Sequence, residues 1–140
     1  MKNKTRNKIL MAFLPILPHL LYLLPLALFT ACNMKARNSH KTISSQEAQG
    51  MMNENAIVLD VRNPEEFQSG HIPGAILLPH NLIREQARYL LPDYNQTILI
   101  YCRSGNRSNM AALVLTELGY TAVYDFGGIV DWHGEITLPS

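Results

Sequence analysis

The chain has 140 residues, 47% of them hydrophobic, with twelve Lys or Arg, eleven Asp or Glu and a formal net charge of +1. That length supports one small domain, and the near-neutral balance leaves no basic face of the kind that binds nucleic acid. The balance is uneven: Lys2, Lys4, Arg6 and Lys8 hold four of the twelve cations, no acidic residue precedes Glu47, and the rest of the chain sets eight basic residues against eleven acidic ones.

Residues 1–31 read as a targeting segment outside the fold. A basic start leads into an apolar run from Ile9 to Phe29 that ends at Thr30-Ala31-Cys32, the layout of an export signal. Pro15, Pro18 and Pro25 interrupt the run. Each removes a backbone donor and opposes a continuous helix, so the run is a poor membrane span. Small residues directly before a cysteine resemble the lipobox of bacterial lipoproteins, where the signal is cut ahead of the cysteine and lipid is attached to it. In the third position before that cut this chain has Phe29, where that family most often has leucine. The expectation is a lipid on Cys32 and a domain held on the periplasmic side of a bacterial membrane. An ordinary signal peptide and an uncleaved anchor are the alternatives. With two cysteines in the chain, lipid on Cys32 leaves Cys102 a lone free thiol in an oxidising compartment, where cysteines ordinarily pair. Residues 32–41 are polar and lack periodicity, which predicts a flexible tether.

Residues 42–138 carry the domain. Near-continuous apolar runs at Ala56–Val61, Ala75–Leu78, Thr97–Tyr101 and Thr121–Tyr124 predict strands covered on both faces, the habit of a parallel sheet between helices. Helices are predicted over Ser45–Asn53, Pro64–Ser69, Asn81–Leu91 and Arg107–Leu118. Asn63, Pro64 and Glu66 form a capping sequence for the second of these, and Gly119 stands where the last needs a left-handed residue. The predicted class is α/β, a small and mostly parallel sheet with helices on both faces.

In such sheets, ligand sites lie beyond the carboxyl ends of the strands. Asp60-Val61-Arg62 ends one predicted strand, Cys102 ends another and Asp125-Phe-Gly-Gly128 a third, so the charged residues gather on one rim. Cys102 enters a polar loop with Arg103, Ser104, Gly105, Asn106, Arg107 and Ser108, and a helix follows at once. A thiol there faces unpaired backbone N–H groups, the positive end of a helix dipole and two guanidinium groups. All three favour the thiolate, the reactive form. The loop reads as a nucleophilic sulfur site.

Asp60-Val-Arg-Asn-Pro-Glu-Glu-Phe-Gln-Ser-Gly-His-Ile-Pro-Gly-Ala75 resembles the D-V-R-x-x-x-E-[FY]-x-x-G-H-I-x-G-A stretch of the rhodanese family. Cys102 through Ser108 is similar to that family's C-R-x-G-x-R-S active loop, and Gly127-Gly-Ile-Val-Asp-Trp132 to its closing G-G-x-x-x-W element. The resemblance implies a five-stranded parallel sheet and thiosulfate-type sulfur transfer through a cysteine persulfide, with a small anionic sulfur donor and a thiol or cyanide acceptor. On that reading Cys102 is the nucleophile. Arg103, the backbone of residues 103–107 and the loop Ser104, Gly105 and Asn106 bind the donor, and Arg107 closes the loop. Asp60, Arg62 and Ser108 have supporting roles.

The remaining residues are expected to be structural. His71 follows Gly70 in a turn and should bond local backbone, and Trp132 should pack. His40, His80 and His133 have no metal-ligand spacing with Cys102, so neither a metal nor a cofactor is expected. The expected form is a monomer that meets the membrane only through its N-terminal anchor. Two other readings stay open. One is a persulfide carrier or binding module of rhodanese type without thiosulfate turnover. The other is a cysteine phosphatase or arsenate reductase, whose C-x-x-x-x-x-R loops put arginine where this chain has Ser108, one residue after Arg107.

Overall fold

The structure is a computed structural model that describes residues 39–53 and 55–139. The predicted signal, Cys32 and the predicted tether as far as residue 38 therefore lie outside the described residues. Among the described residues, no helix is long and apolar enough to cross a membrane.

Five parallel strands form one sheet: β1 (Lys41–Thr42), β2 (Ala56–Asp60), β3 (Ile76–Leu77), β4 (Thr97–Cys102) and β5 (Val123–Gly128), in the order β1-β5-β4-β2-β3. The helices are α1 (Ser45–Met51), α2 (Pro64–Gln68), α3 (Ile83–Leu90) and α4 (Asn106–Leu118). Single 3₁₀ turns cover His80–Leu82 and Ile129–Asp131.

The central strands are apolar on both faces because both faces are covered. Along β4, Ile98, Ile100 and Cys102 point to one side, where they pack with Ile83 and Ala87 of α3 and Ala111, Ala112 and Leu115 of α4. Leu99 and Tyr101 point to the other, against Ala48 of α1, Phe126 of β5 and the half-buried Trp132. This two-residue alternation decides which layer receives the sulfur. Cys102 falls in the same layer as α4, whose N-terminus begins four residues later.

Several predicted boundaries move. β1 includes Lys41, which the sequence assigned to the tether, and two exposed residues offer no pattern by which to find a strand. The strand expected at Thr121–Tyr124 runs Val123–Gly128 instead, through residues that read as a polar rim. The helix expected at Asn81–Leu91 is divided between the 3₁₀ turn and α3, and α1 stops at Met51. The caps form as predicted. Asn63 Oδ1 accepts from the Glu66 N–H, the Glu66 carboxylate accepts from the Asn63 N–H, and Gly119 ends α4 at φ +105°.

Candidate active site

The carboxyl ends of β2, β4 and β5 meet on one edge of the sheet. β4 and β5 pair Ile100 with Asp125 but Cys102 with Gly128, so β5 spends one extra residue there. Such a bulge re-aims the end of a strand. The buried Asp125 carboxylate fixes it by accepting the Gly127 N–H at 3.0 Å. Gly128 then passes directly beneath the active loop. A Cβ at that position would overlap the Arg103 carbonyl oxygen and the Ser104 Cα, so only glycine permits this approach.

Cys102 is 1% exposed and sits at the base of the loop. Gly105, held at φ +99°, turns its N–H onto Sγ at 3.1 Å and serves as N-cap of α4. Burial pushes the thiol up. That effect is outweighed by the N–H and hydroxyl of Ser108 and by the N–H groups of Ser104 and Gly105, and the net shift is below the usual cysteine range. Ser108 is fully buried, and its hydroxyl also reaches the Gly105 carbonyl at 3.0 Å. These donors are fixed before any anion arrives, as in other backbone anion nests.

The two loop arginines part company. Arg103 is exposed and, among the described residues, forms no ion pair. Arg107 turns sideways onto α2, where it meets the Glu66 carboxylate with Nη1–Oε2 at 2.6 Å and Nη2–Oε1 at 2.8 Å. The sequence assigned Glu66 to a helix cap alone. A contact between residues 41 apart in the chain carries no local signal. Ser104 and Asn106 are exposed on the outer wall of the loop.

A second brace lies under the rim. The Arg62 guanidinium bonds both oxygens of Asp60, with Nη2–Oδ2 at 2.6 Å, and reaches on to the Gly70 carbonyl at 2.8 Å. Both side chains are buried. Arg62 also lies over the Tyr101 ring, whose hydroxyl accepts the Ile72 N–H at 3.2 Å. Burial, followed by the Asp60 carboxylate, pushes the Tyr101 hydroxyl far up. Tyr101 is the member of this network that the sequence reading missed. His71 bonds the Phe67 carbonyl through Nδ1 at 3.0 Å and stacks on the Phe67 ring. Trp132 packs on Phe126 and donates to the Glu135 carbonyl.

Fold and site together define a small α/β domain with a cysteine loop between a parallel strand and a helix. Residues 44–135 match the model of the Rhodanese-like domain, and the chain belongs to that family. It is 41% identical over 73 residues to thiosulfate sulfurtransferase PspE of Escherichia coli, covering 52% of this chain and 70% of that one. It is 33% identical over 88 residues to thiosulfate sulfurtransferase GlpE of Pseudomonas syringae, covering 63% and 81%. Among solved structures, an E. coli rhodanese with bound anions superposes with a TM-score of 0.57 at 36% identity, covering 59% of this chain and 98% of that one.

The Glu66–Arg107 pair makes stability depend on acid. Arg107 is the main cause that holds the Glu66 carboxyl down at about 2, against an ordinary 4.5. A lowered carboxyl stabilises the fold fully above pH 4.5, and the benefit disappears as pH falls through 2. Glu66→Gln should therefore cost about 1–2 kcal/mol at pH 7, allowing for the partial exposure of the pair. Urea denaturation at both pH values should find almost no difference from wild type at pH 2. An equal loss at both would assign the effect to packing.

Proposed function

We propose that the protein is a sulfurtransferase that moves a sulfane sulfur from thiosulfate, or a similar anionic donor, to a thiol or cyanide through a Cys102 persulfide. The observation that carries this reading is a buried sulfur supplied with preset donors, the Gly105 N–H at 3.1 Å among them. The Cys102 thiolate attacks the outer sulfur of thiosulfate. A new S–S bond forms at Cys102, the S–S bond of the donor breaks, and sulfite leaves with the electron pair. A nucleophilic acceptor then attacks the terminal sulfur and the thiolate returns. No external oxidant or reductant is consumed, and the two half-reactions follow the ping-pong pattern of covalent catalysis. The backbone donors that lower the thiol serve the anionic persulfide in the same way. Arg103, which forms no ion pair among the described residues, is assigned to the sulfonate end of the donor.

The names of the relatives support sulfur transfer in general. A putative sulfur carrier, YrkF of Bacillus subtilis, is 38% identical over 79 residues, covering 56% of this chain and 42% of that one. That likeness favours, as second reading, a carrier that receives sulfur on Cys102 and passes it to a partner. Both readings share the persulfide. The phosphatase alternative is disfavoured because Ser108 stands where those loops have arginine, and Arg107, one residue earlier, lies against Glu66. We further propose that the domain is exported and anchored through lipid on Cys32.

Three experiments test these assignments. Thiosulfate treatment should add one sulfur atom, about 32 Da, at Cys102. Cys102→Ser should abolish both the adduct and turnover, and a serine variant transferring sulfur at a comparable rate would overturn the mechanism. Arg103→Ala should mainly raise the thiosulfate KM, with kcat/KM down roughly ten- to a hundredfold, as expected for loss of a charged hydrogen bond. Unchanged kinetics would leave Arg103 to solvent. Cys32→Ser should move the protein from the membrane to the soluble fraction with activity intact. Wild-type protein found wholly in the soluble fraction would rule out the lipid anchor.

A further inference from the structure

Arg107 is the loop cation whose charge is already matched. Its planar fork lies against both oxygens of Glu66, and the pair is three-quarters buried, with side-chain exposures of 26% and 23%. Glu66 cannot swing away freely, because the same carboxylate accepts the Asn63 N–H at 3.2 Å and closes the cap of α2. Arg107 nevertheless belongs to the same short loop as the sulfur, five residues after Cys102, so negative charge on Cys102 reinforces its own. The other charged groups facing the pair are Asp60 and Arg62 at the end of β2, which are bound to each other. Arg103 lies outside on the loop.

We propose that Glu66 is a specificity-determining positioning residue: by occupying both arms of the Arg107 guanidinium it keeps that cation off the anion above Cys102, so the loop grips small oxyanions weakly. Arginine stays charged at any working pH, so removing the carboxylate leaves a full positive charge beside the sulfur. The consequence rests on the sulfur-transfer reading. Sulfite, the leaving group of the first half-reaction, is itself a small oxyanion. A second free cation would retain it, and would admit sulfate or phosphate as competitors. One free arginine together with backbone donors lets the donor bind and the product leave.

The test uses the full chain and needs no sulfur transfer. Iodoacetamide labelling of Cys102, read on its own peptide by mass spectrometry, gives the pH at which the thiolate forms. The same readout gives the sulfate concentration that half-protects it. Glu66→Gln keeps the size and cap of the side chain while removing its charge. The expected result is a labelling midpoint at lower pH and a half-protecting sulfate concentration about three- to tenfold lower, from the added field of one cation. A pair that merely held the loop together would give the opposite: a looser loop, a higher midpoint and weaker protection. Unchanged values would also overturn the proposal. The double variant Glu66→Gln/Arg107→Gln, with neither charge, should return sulfate protection to within about twofold of wild type, since removing both leaves the local charge balance as it was. If the single variant does not fold, the double one decides. A tenfold weaker protection in it would mean that Arg107 already touches the anion in the native protein. A protein that labels as expected here yet acquires no sulfur from thiosulfate would refute the functional reading and leave this one standing.

Discussion

A buried sulfur whose surroundings favour negative charge is the constraint around which this domain is arranged. Burial alone opposes the thiolate. The remedy is a set of N–H groups from Ser104, Gly105 and Ser108, with the Ser108 hydroxyl beside them, placed around Sγ before any ligand arrives. Such dipoles help only if they hold their positions when the charge appears. The surrounding structure can be understood as the means of holding them. The parallel sheet brings the strand ends to one edge, and α4 begins four residues past the sulfur. The alternation along β4 puts Cys102 in the layer that α4 covers.

The loop is held directly from two directions, and a further brace lies under the rim. Beneath it, the backbone of Gly128 lies so close that no side chain fits between. At one side, Arg107 is tied to the first turn of α2 through Glu66. Below the rim, the Asp60–Arg62 pair binds the Gly70 carbonyl, while Tyr101 holds the Ile72 N–H. A buried ion pair is weak evidence for stability, since desolvation offsets much of its attraction. Its benefit here is geometric. It fixes where the chain turns after β2 and so where Glu66 is presented.

Much of this was readable from the chain because the chemistry is local. The apolar runs of β2 and β4, the Asn63 cap and the Gly119 stop each declare themselves within a few residues, and the cysteine loop is one uninterrupted heptapeptide. What escaped depends on contacts across the sheet or on strands too short to have a pattern. β1 is two exposed residues. β5 continues through Asp125 and Gly127, residues typical of turns, because pairing with β4 outweighs their poor strand propensity. Glu66 looked like a complete cap and Gly128 like the end of the rim that follows a strand. Their second roles became visible only when α2 and β5 were brought beside the loop.

The edges of the sheet have a consequence of another kind. An exposed strand edge is a row of unused backbone donors and acceptors, and neighbouring molecules can zip onto it. Here both outer strands, β1 and β3, are two residues long. Lys41 lies on the first, with its ammonium over Tyr124. Pro73 and Pro79 bracket the second and contribute no N–H. The long central strands, which would aggregate readily if bared, are flanked by borders too short to template another copy. The domain can therefore be crowded at high local density with little tendency to grow into intermolecular sheets.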